Sequence, residues 1–219
     1  MSDGTPTVLF DLDGVLLRGD TMASLVVRRL VCHPRRLMRA APTLVRLLGA
    51  GPETERAQSA HRRLVRLALD GLERYEYEEL AVLTARRLAA DPRRRVAACV
   101  RAARTALDRG ERVLVVTATE RVLARAYLDA IGLRSAELSA SELGGPPRRL
   151  GWERHNVGEA KVESVRERGV AVEEARFFTD SASDLLLALR VRAVVLVNPS
   201  RRSARVFRDR IPGHTLLRG

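Results

Sequence analysis

A short β-branched and aromatic run, Thr7–Phe10, closes on Asp11-Leu12-Asp13-Gly14, and no comparable run follows until Arg112–Val116. Thr7–Phe10 reads as a buried strand. From Thr21 to about Ala90 apolar residues instead recur three or four apart with Arg between them, which is a helical pattern. Pro34, Pro42 and Gly49-Ala50-Gly51-Pro52 are expected to divide that stretch into separate helices. Asp91 as N-cap and Pro92 at the first position predict a further helix, Arg93–Asp108, with Gly110 just past its end.

Beyond it the alternation is regular. Arg112–Val116, Arg176–Phe178 and Ala193–Val197 read as strands. Glu120–Ile131, Glu159–Arg168, Ser183–Arg190 and Arg201–Arg208 read as helices. Ser135–Asn156 breaks the rhythm, and its Gly144-Gly145-Pro146-Pro147 centre suggests a hairpin or an excursion beyond the sheet. Strand and helix in alternation predict an α/β fold with a Rossmann-like parallel sheet. The first strand must rejoin that sheet. Residues 17–95 are therefore expected to form a helical cap inserted after it, and residues 1–16 and 96–219 the α/β core. The cap should sit above the carboxyl edge of the sheet, where such folds bind ligands.

Composition narrows the class. With 219 residues, 46% of them apolar, the chain can bury a core, and Pro plus Gly (24 residues) are too few for a disordered one. No apolar run approaches a membrane span, and Ser2–Thr7 has no signal-peptide pattern, so a cytoplasmic location is expected. Cys32 and Cys99 form no metal-type pair, and the four histidines are scattered.

The net charge is +12, carried by 38 Arg and one Lys. A GC-rich genome, which exchanges surface Lys for Arg, is the plain reading of the Arg count, and a role for the charge is the other. Position says more than the total. Residues 17–95 hold 17 Arg and 9 acidic residues, so two thirds of the excess falls on the expected cap. Such an excess attracts anions without choosing among phosphorylated metabolites, lipid head groups and nucleic acid. Ser24–Leu48 is apolar and basic by turns, as an interfacial helix would be. An amphipathic cap helix packed on its neighbours is the preferred reading, with peripheral membrane contact through the basic cap the other.

The candidate chemistry lies at the strand ends. Asp11 and Asp13, two apart, point the same way on an extended chain, and Gly14 permits a sharp turn. Two such carboxylates suggest Mg²⁺ or acid/base work, and a loop with two solvated acids is the plain alternative. Thr117 follows the second strand and offers a hydroxyl with backbone amides beyond it, a phosphate-holding arrangement when it is not simply a cap. Asp180, Ser181 and Asp184 follow the strand at Arg176, where helix capping is the ordinary role. Lys161 opens a helix. A sole Lys among 38 Arg suggests a position that needs a compact, flexible ammonium.

Taken together, Asp-x-Asp, Thr, Lys and Asp-x-x-x-Asp, in this order along the chain, resemble the haloacid dehalogenase superfamily. The similarity is to subfamily IB, the group of phosphoserine phosphatases and phosphatidylglycerophosphatase-C-like enzymes. Phe10–Gly14 with Arg18–Thr21, Asn156–Val162, Thr179–Leu185 and Val197-Asn198-Pro199 carry it. The resemblance implies Asp11 as nucleophile and Asp13 as general acid and base. It implies Mg²⁺ held by Asp11, the Asp13 carbonyl and Asp180. Thr117, Ala118 and Lys161 would bind the phosphoryl group, with Asp184 and Ser181 in support. Val15, Thr117-Ala118 and Thr179 depart from the commoner residues of the group, but none removes a functional group.

The expected activity is that of a phosphoric monoester hydrolase acting on a small phosphorylated, anionic substrate, a metabolite or a phospholipid head group. A dehalogenase is disfavoured because Asp13 is present, and a phosphonatase because the cap has no Lys. Phosphoserine phosphatase proper and a phosphomutase stand as alternatives. Asp20 matches an acidic residue that recognises a substrate amine, and helix capping before Met22 is its plainer role. From another class comes a basic protein that binds nucleic acid or a partner on the same scaffold. Aromatics at 4% and a complete catalytic set argue against it.

Overall fold

The computed structural model describes residues 6–48 and 55–218. Strand β1 (Thr7–Phe10) is followed by α1 (Thr21–Val31), α2 (Pro34–Leu48), α3 (Glu55–Leu69) and α4 (Arg74–Ala90). The chain continues through α5 (Ala97–Asp108), β2 (Arg112–Glu120), α6 (Arg121–Ala130), β3 (Glu137–Gly144) and β4 (Gly151–Arg154). Then come α7 (Glu159–Arg166), β5 (Arg176–Thr179), α8 (Leu185–Ala188), β6 (Ala193–Val197), α9 (Arg201–Arg210) and β7 (Thr215–Leu217).

The seven strands are ordered β4-β3-β2-β1-β5-β6-β7, parallel except for β4. The fold is the expected α/β sheet with helices inserted after β1. Winding runs outward in both directions from β1, with β2 on one side and β5 on the other. Residues leaving the carboxyl ends of these three strands therefore meet at the point where a ligand crevice forms. The two-residue period of the strands sorts their side chains. Phe10, Val113, Val115 and Phe178 face the layer of α5, α6 and the inserted helices. Leu9, Leu114, Val116 and Phe177 face Val162, Leu187 and Phe207 of α7, α8 and α9.

Several sequence expectations need correction. Pro42 does not end a helix but lies inside α2. It sits on the exposed side, as does Met38, so the Met38 carbonyl that loses its usual bond is solvated, while Ala40 and Thr43 keep the buried face. The Gly49–Pro52 segment lies outside the described residues. The helix read as Arg93–Asp108 is broken. Pro92–Arg94 is a 3₁₀ turn capped by Asp91, and α5 begins only at Ala97. Between them the returning chain pairs with the departing one: the Arg18 N–H donates to the Arg94 carbonyl at 2.6 Å and the Val96 N–H to the Leu16 carbonyl at 3.2 Å. Tertiary pairing overrides helix continuation there. β2 runs on to Glu120 through a bulge, four residues on from Val116 against two on β3. The segment read as a hairpin or an excursion does form a hairpin, β3 with antiparallel β4, but β3 also joins the parallel sheet beside β2. β7 had no sequence signal.

The inserted helices are fastened to the sheet by a buried polar contact. The Tyr77 hydroxyl on α4 donates to Glu120 Oε2, which also accepts the N–H groups of Val122 and Leu123 as the cap of α6. Both side chains are buried. Tyr77→Phe leaves that carboxylate short of a donor, and a loss of about 2 kcal/mol at neutral pH is expected. Burial raises the Glu120 pKa above its ordinary value, against the pull of Tyr77 and the two amides. Its stability contribution is thus full below the unfolded value and is lost as pH rises through the folded one. Without the phenol the folded value rises further. The Tm deficit of Tyr77→Phe should therefore shrink as pH falls towards about 4. A deficit constant with pH would mean that only packing was lost.

Candidate active site

β1 ends at Phe10, and the Asp11 N–H donates to the Phe178 carbonyl at 2.9 Å, which pins the nucleophile candidate between β1 and β5. The Asp11 carboxylate accepts the Leu12 N–H at 2.9 Å and lies 3.1 Å from Lys161 Nζ. Lys161 is itself 2% exposed. Its ammonium also contacts Asp184 Oδ1 at 2.7 Å, and the other Asp184 oxygen accepts the Thr179 hydroxyl at 2.8 Å. Asp184 thus aims Lys161 at Asp11, and Thr179 holds Asp184. Thr179, one of the departures noted in the sequence, thus has a positioning contact of its own.

Burial is the main cause that lifts the Asp11 pKa well above the ordinary carboxylate range. Lys161 pulls against it, and Asp184, Asp180 and Asp13 push further up. For Lys161, burial opposes the charge, but Asp11 and Asp184 outweigh it and the pKa is raised. The sole Lys of the chain is therefore a fixed cation in the centre of the site.

Asp13 is held by a different set. Its Oδ1 accepts the Thr21 N–H at 2.8 Å, and its Oδ2 accepts the hydroxyls of Thr119 at 2.6 Å and Thr21 at 3.2 Å. Its pKa is pushed up to about 7, by burial first and by Asp20 second, against those hydrogen bonds. That environment suits a group that must both give and take a proton. Gly14 has φ +78°, and a β-carbon there would run into the Asp180 carboxylate. Glycine is thus what lets Asp180 close on the β1 loop.

Among the described residues no three His, Cys, Asp or Glu side chains are grouped as a metal cage. The candidate donors are two carboxylates, Asp11 and Asp180, whose charges act on each other, plus the Asp13 backbone carbonyl, because the Asp13 side chain is committed to Thr21 and Thr119. A set of two carboxylates, a carbonyl and water fits Mg²⁺, which keeps several waters and rarely takes an all-protein cage. The carboxylates that raise the Asp11 pKa are repulsions that a divalent cation would relieve.

Thr117 is buried at the β2 bulge, where its Oγ1 accepts the Thr119 N–H at 3.0 Å. The bulge is braced from β3, where the Ser141 hydroxyl donates to the Ala118 carbonyl at 2.7 Å, and from the loop before α7, where Asn156 Nδ2 donates to the Thr117 carbonyl at 3.1 Å. Ser181 caps the turn before α8 by accepting the Ser183 N–H at 3.3 Å. Asp20 caps α1, its Oδ1 accepting the Ala23 N–H at 2.7 Å. It nevertheless borders the cleft.

That cleft, about 570 Å³, opens over Asp13, Ala118, Thr119 and Ser181. It brings in residues that sequence reasoning missed: His61 from α3, Trp152 and His155 from the β4 hairpin, and Arg202 from α9. Trp152 and His155 stack at 4.8 Å. Burial, with His61 and Arg62 nearby, lowers the His155 pKa to about 4, so its ring is neutral at physiological pH. Trp152 Nε1 and His61 Nε2 are buried without a hydrogen-bond partner, which suits groups waiting for a ligand. Thr21 and Thr119 were also missed. Only the fold shows that residues 8 and 106 positions from Asp13 meet on its carboxylate. A larger groove, about 850 Å³, lies between α1 and α4 and shares only Asp20 with this cleft.

Among solved structures, a Bordetella pertussis Tohama I protein of unknown function is similar at a TM-score of 0.75 and 21% identity, over 97% of this chain and 98% of that one. A substrate-bound phosphoserine phosphatase matches with TM-score 0.61 and 14% identity, over 93% and 90%. A phosphoserine phosphohydrolase-like protein from Francisella tularensis gives 0.63 and 12%, over 92% of each chain. A search of the curated proteins found no match. At such identities these likenesses speak for the fold. The sequence carries the family: the family model for haloacid dehalogenase-like hydrolases matches residues 8–189, a span from β1 through Asp11, Thr117, Lys161, Asp180 and Asp184. On that match the chain belongs to the haloacid dehalogenase-like hydrolases.

Proposed function

We propose that this protein is a Mg²⁺-dependent phosphomonoesterase that works through an aspartyl-phosphate on Asp11. Its substrate would be a phosphorylated small metabolite or phospholipid head group, and residues 17–95 would be the cap that selects it. The observation that carries this reading is the placement of Asp11 beside the buried Lys161 ammonium at 3.1 Å, with Asp13 held separately by Thr21 and Thr119.

In the first step an Asp11 oxygen forms a bond to phosphorus as the ester P–O bond breaks, and Asp13 gives its proton to the leaving oxygen. In the second, Asp13 takes a proton from water, whose oxygen bonds phosphorus while the Asp11–phosphorus bond breaks. Inorganic phosphate leaves, and both carboxyl groups return to their starting states. Lys161 and Thr117, with the Ala118 amide at the bulge, offer donors to phosphoryl oxygens on which charge is spread in transit. Asp11, Asp180 and the Asp13 carbonyl would hold Mg²⁺, which supplies further neutralisation of that charge. Trp152 and His61 would meet the part of the substrate beyond the phosphate.

The test is phosphate release from a panel with and without Mg²⁺: an aryl phosphate, phosphoserine, sugar phosphates, nucleotides and phosphatidylglycerophosphate. Metal-dependent release from one class supports the reading and names the substrate. No release from any member by folded protein contradicts it. Turnover should also survive a rise from low to moderate salt that would abolish binding to nucleic acid.

A further inference from the structure

We propose that the α1–α2 corner of the inserted helices docks on an anionic lipid surface. Among the described residues, five of the eleven exposed large hydrophobic ones fall within 19 positions: Val27 (55% exposed) and Val31 (62%) on α1, which also line its groove with α4, and Leu37, Met38 (73%) and Val45 (68%) on α2. Isolated apolar residues on a surface are ordinary, but a cluster marks an interaction face. On α2 the buried residues Ala40 and Thr43, with the half-buried Leu44 and Leu47, form the packing side. Met38, Pro42 and Val45 recur at three and four residues along the opposite side and are exposed. The helix thus carries two apolar stripes, and only one is covered by the fold. A helix simply packed on its neighbours, the reading preferred from the sequence, leaves Met38, Pro42 and Val45 unaccounted for.

Charge selects the occupant. Between Asp20 and Glu53 the chain has six Arg and no acidic residue. Arg35, Arg39 and Arg46 are exposed beside the second stripe. Apolar side chains that enter the acyl boundary, bordered by Arg that reach up to head groups, are what an anionic bilayer requires. Each such Arg adds roughly fivefold to its affinity. A second copy of the chain fits poorly, because a two-fold contact sets Arg35, Arg39 and Arg46 against themselves. Nucleic acid would leave the apolar stripe unused.

The experiment is flotation of the full chain with vesicles of phosphatidylcholine alone or with about 30 mol % phosphatidylglycerol. Binding is expected to the anionic vesicles only. Arg35→Gln/Arg39→Gln/Arg46→Gln should weaken it about a hundredfold. Met38→Glu/Val45→Glu should abolish it with no loss of soluble phosphatase turnover, since neither residue borders the catalytic cleft. Binding to both vesicle types alike, to neither, or unchanged in the Glu variant overturns the proposal. So does self-association in the absence of lipid that the Glu variant abolishes, which would assign the face to a second copy.

Discussion

Lys161→Met is expected to destabilise the protein by about 3–5 kcal/mol, because it strips the cation from two carboxylates that burial already disfavours. Lys161 and Asp184 have side chains only 3% and 4% exposed, and Asp11 lies on the same ammonium at 13%. The figure is the cost of leaving charges unpaired and is no measure of what the ion pair adds to the fold. Asp184→Asn separates the two, since it removes one of the stranded charges and keeps an acceptor for the Thr179 hydroxyl. The double variant Lys161→Met/Asp184→Asn should therefore be more stable than the sum of the single losses by about 2 kcal/mol, read by denaturant melts. Its phosphatase turnover should stay down by about 10²–10³-fold, as for loss of a donor to the transition-state oxygens. Additive stability losses would mean that Lys161 and Asp184 do not act as a unit.

Asp11→Asn should cost turnover about 10⁴-fold or more while leaving the fold intact. Burial, together with Asp184, Asp180 and Asp13, raises the Asp11 pKa well above the ordinary value despite Lys161. A raised carboxyl contributes stability below its unfolded pKa and loses it as pH rises through the folded one. At neutral pH the Asp11 charge is thus a cost that asparagine removes, and Lys161 keeps Asp184 as a partner. Tm at pH 7 should equal or exceed that of the parent protein. A variant that unfolds would place Asp11 among the structural residues.

How legible this was in the sequence depends on what each element rests on. β1, β2, β5 and β6 are short β-branched or aromatic runs closed by polar residues, and their signals are local. Asp11 and Asp180 follow the ends of β1 and β5, Thr117 sits at the β2 bulge and Lys161 opens α7, and their order along the chain already suggested one centre. What the sequence hid is non-local. The break at Arg95–Val96 arises from pairing with Leu16–Arg18, a partner some 80 positions away. β7 is three residues long and exists only because it lies along β6. Pro42 reads as a helix end unless one knows that its side of α2 faces water. The partners of Asp13 and the walls of the cleft come from α1, α3, β2, β4 and α9. No spacing rule links Thr21 with Thr119 or His61 with Trp152.

The central claim, that Asp11 is phosphorylated in turnover, is tested most directly by acid quenching during steady-state hydrolysis, followed by peptide mass spectrometry. An adduct of one phosphoryl group on the peptide that contains Asp11, missing in Asp11→Asn, is the predicted result. Turnover with no adduct, or an adduct on another residue, would contradict it.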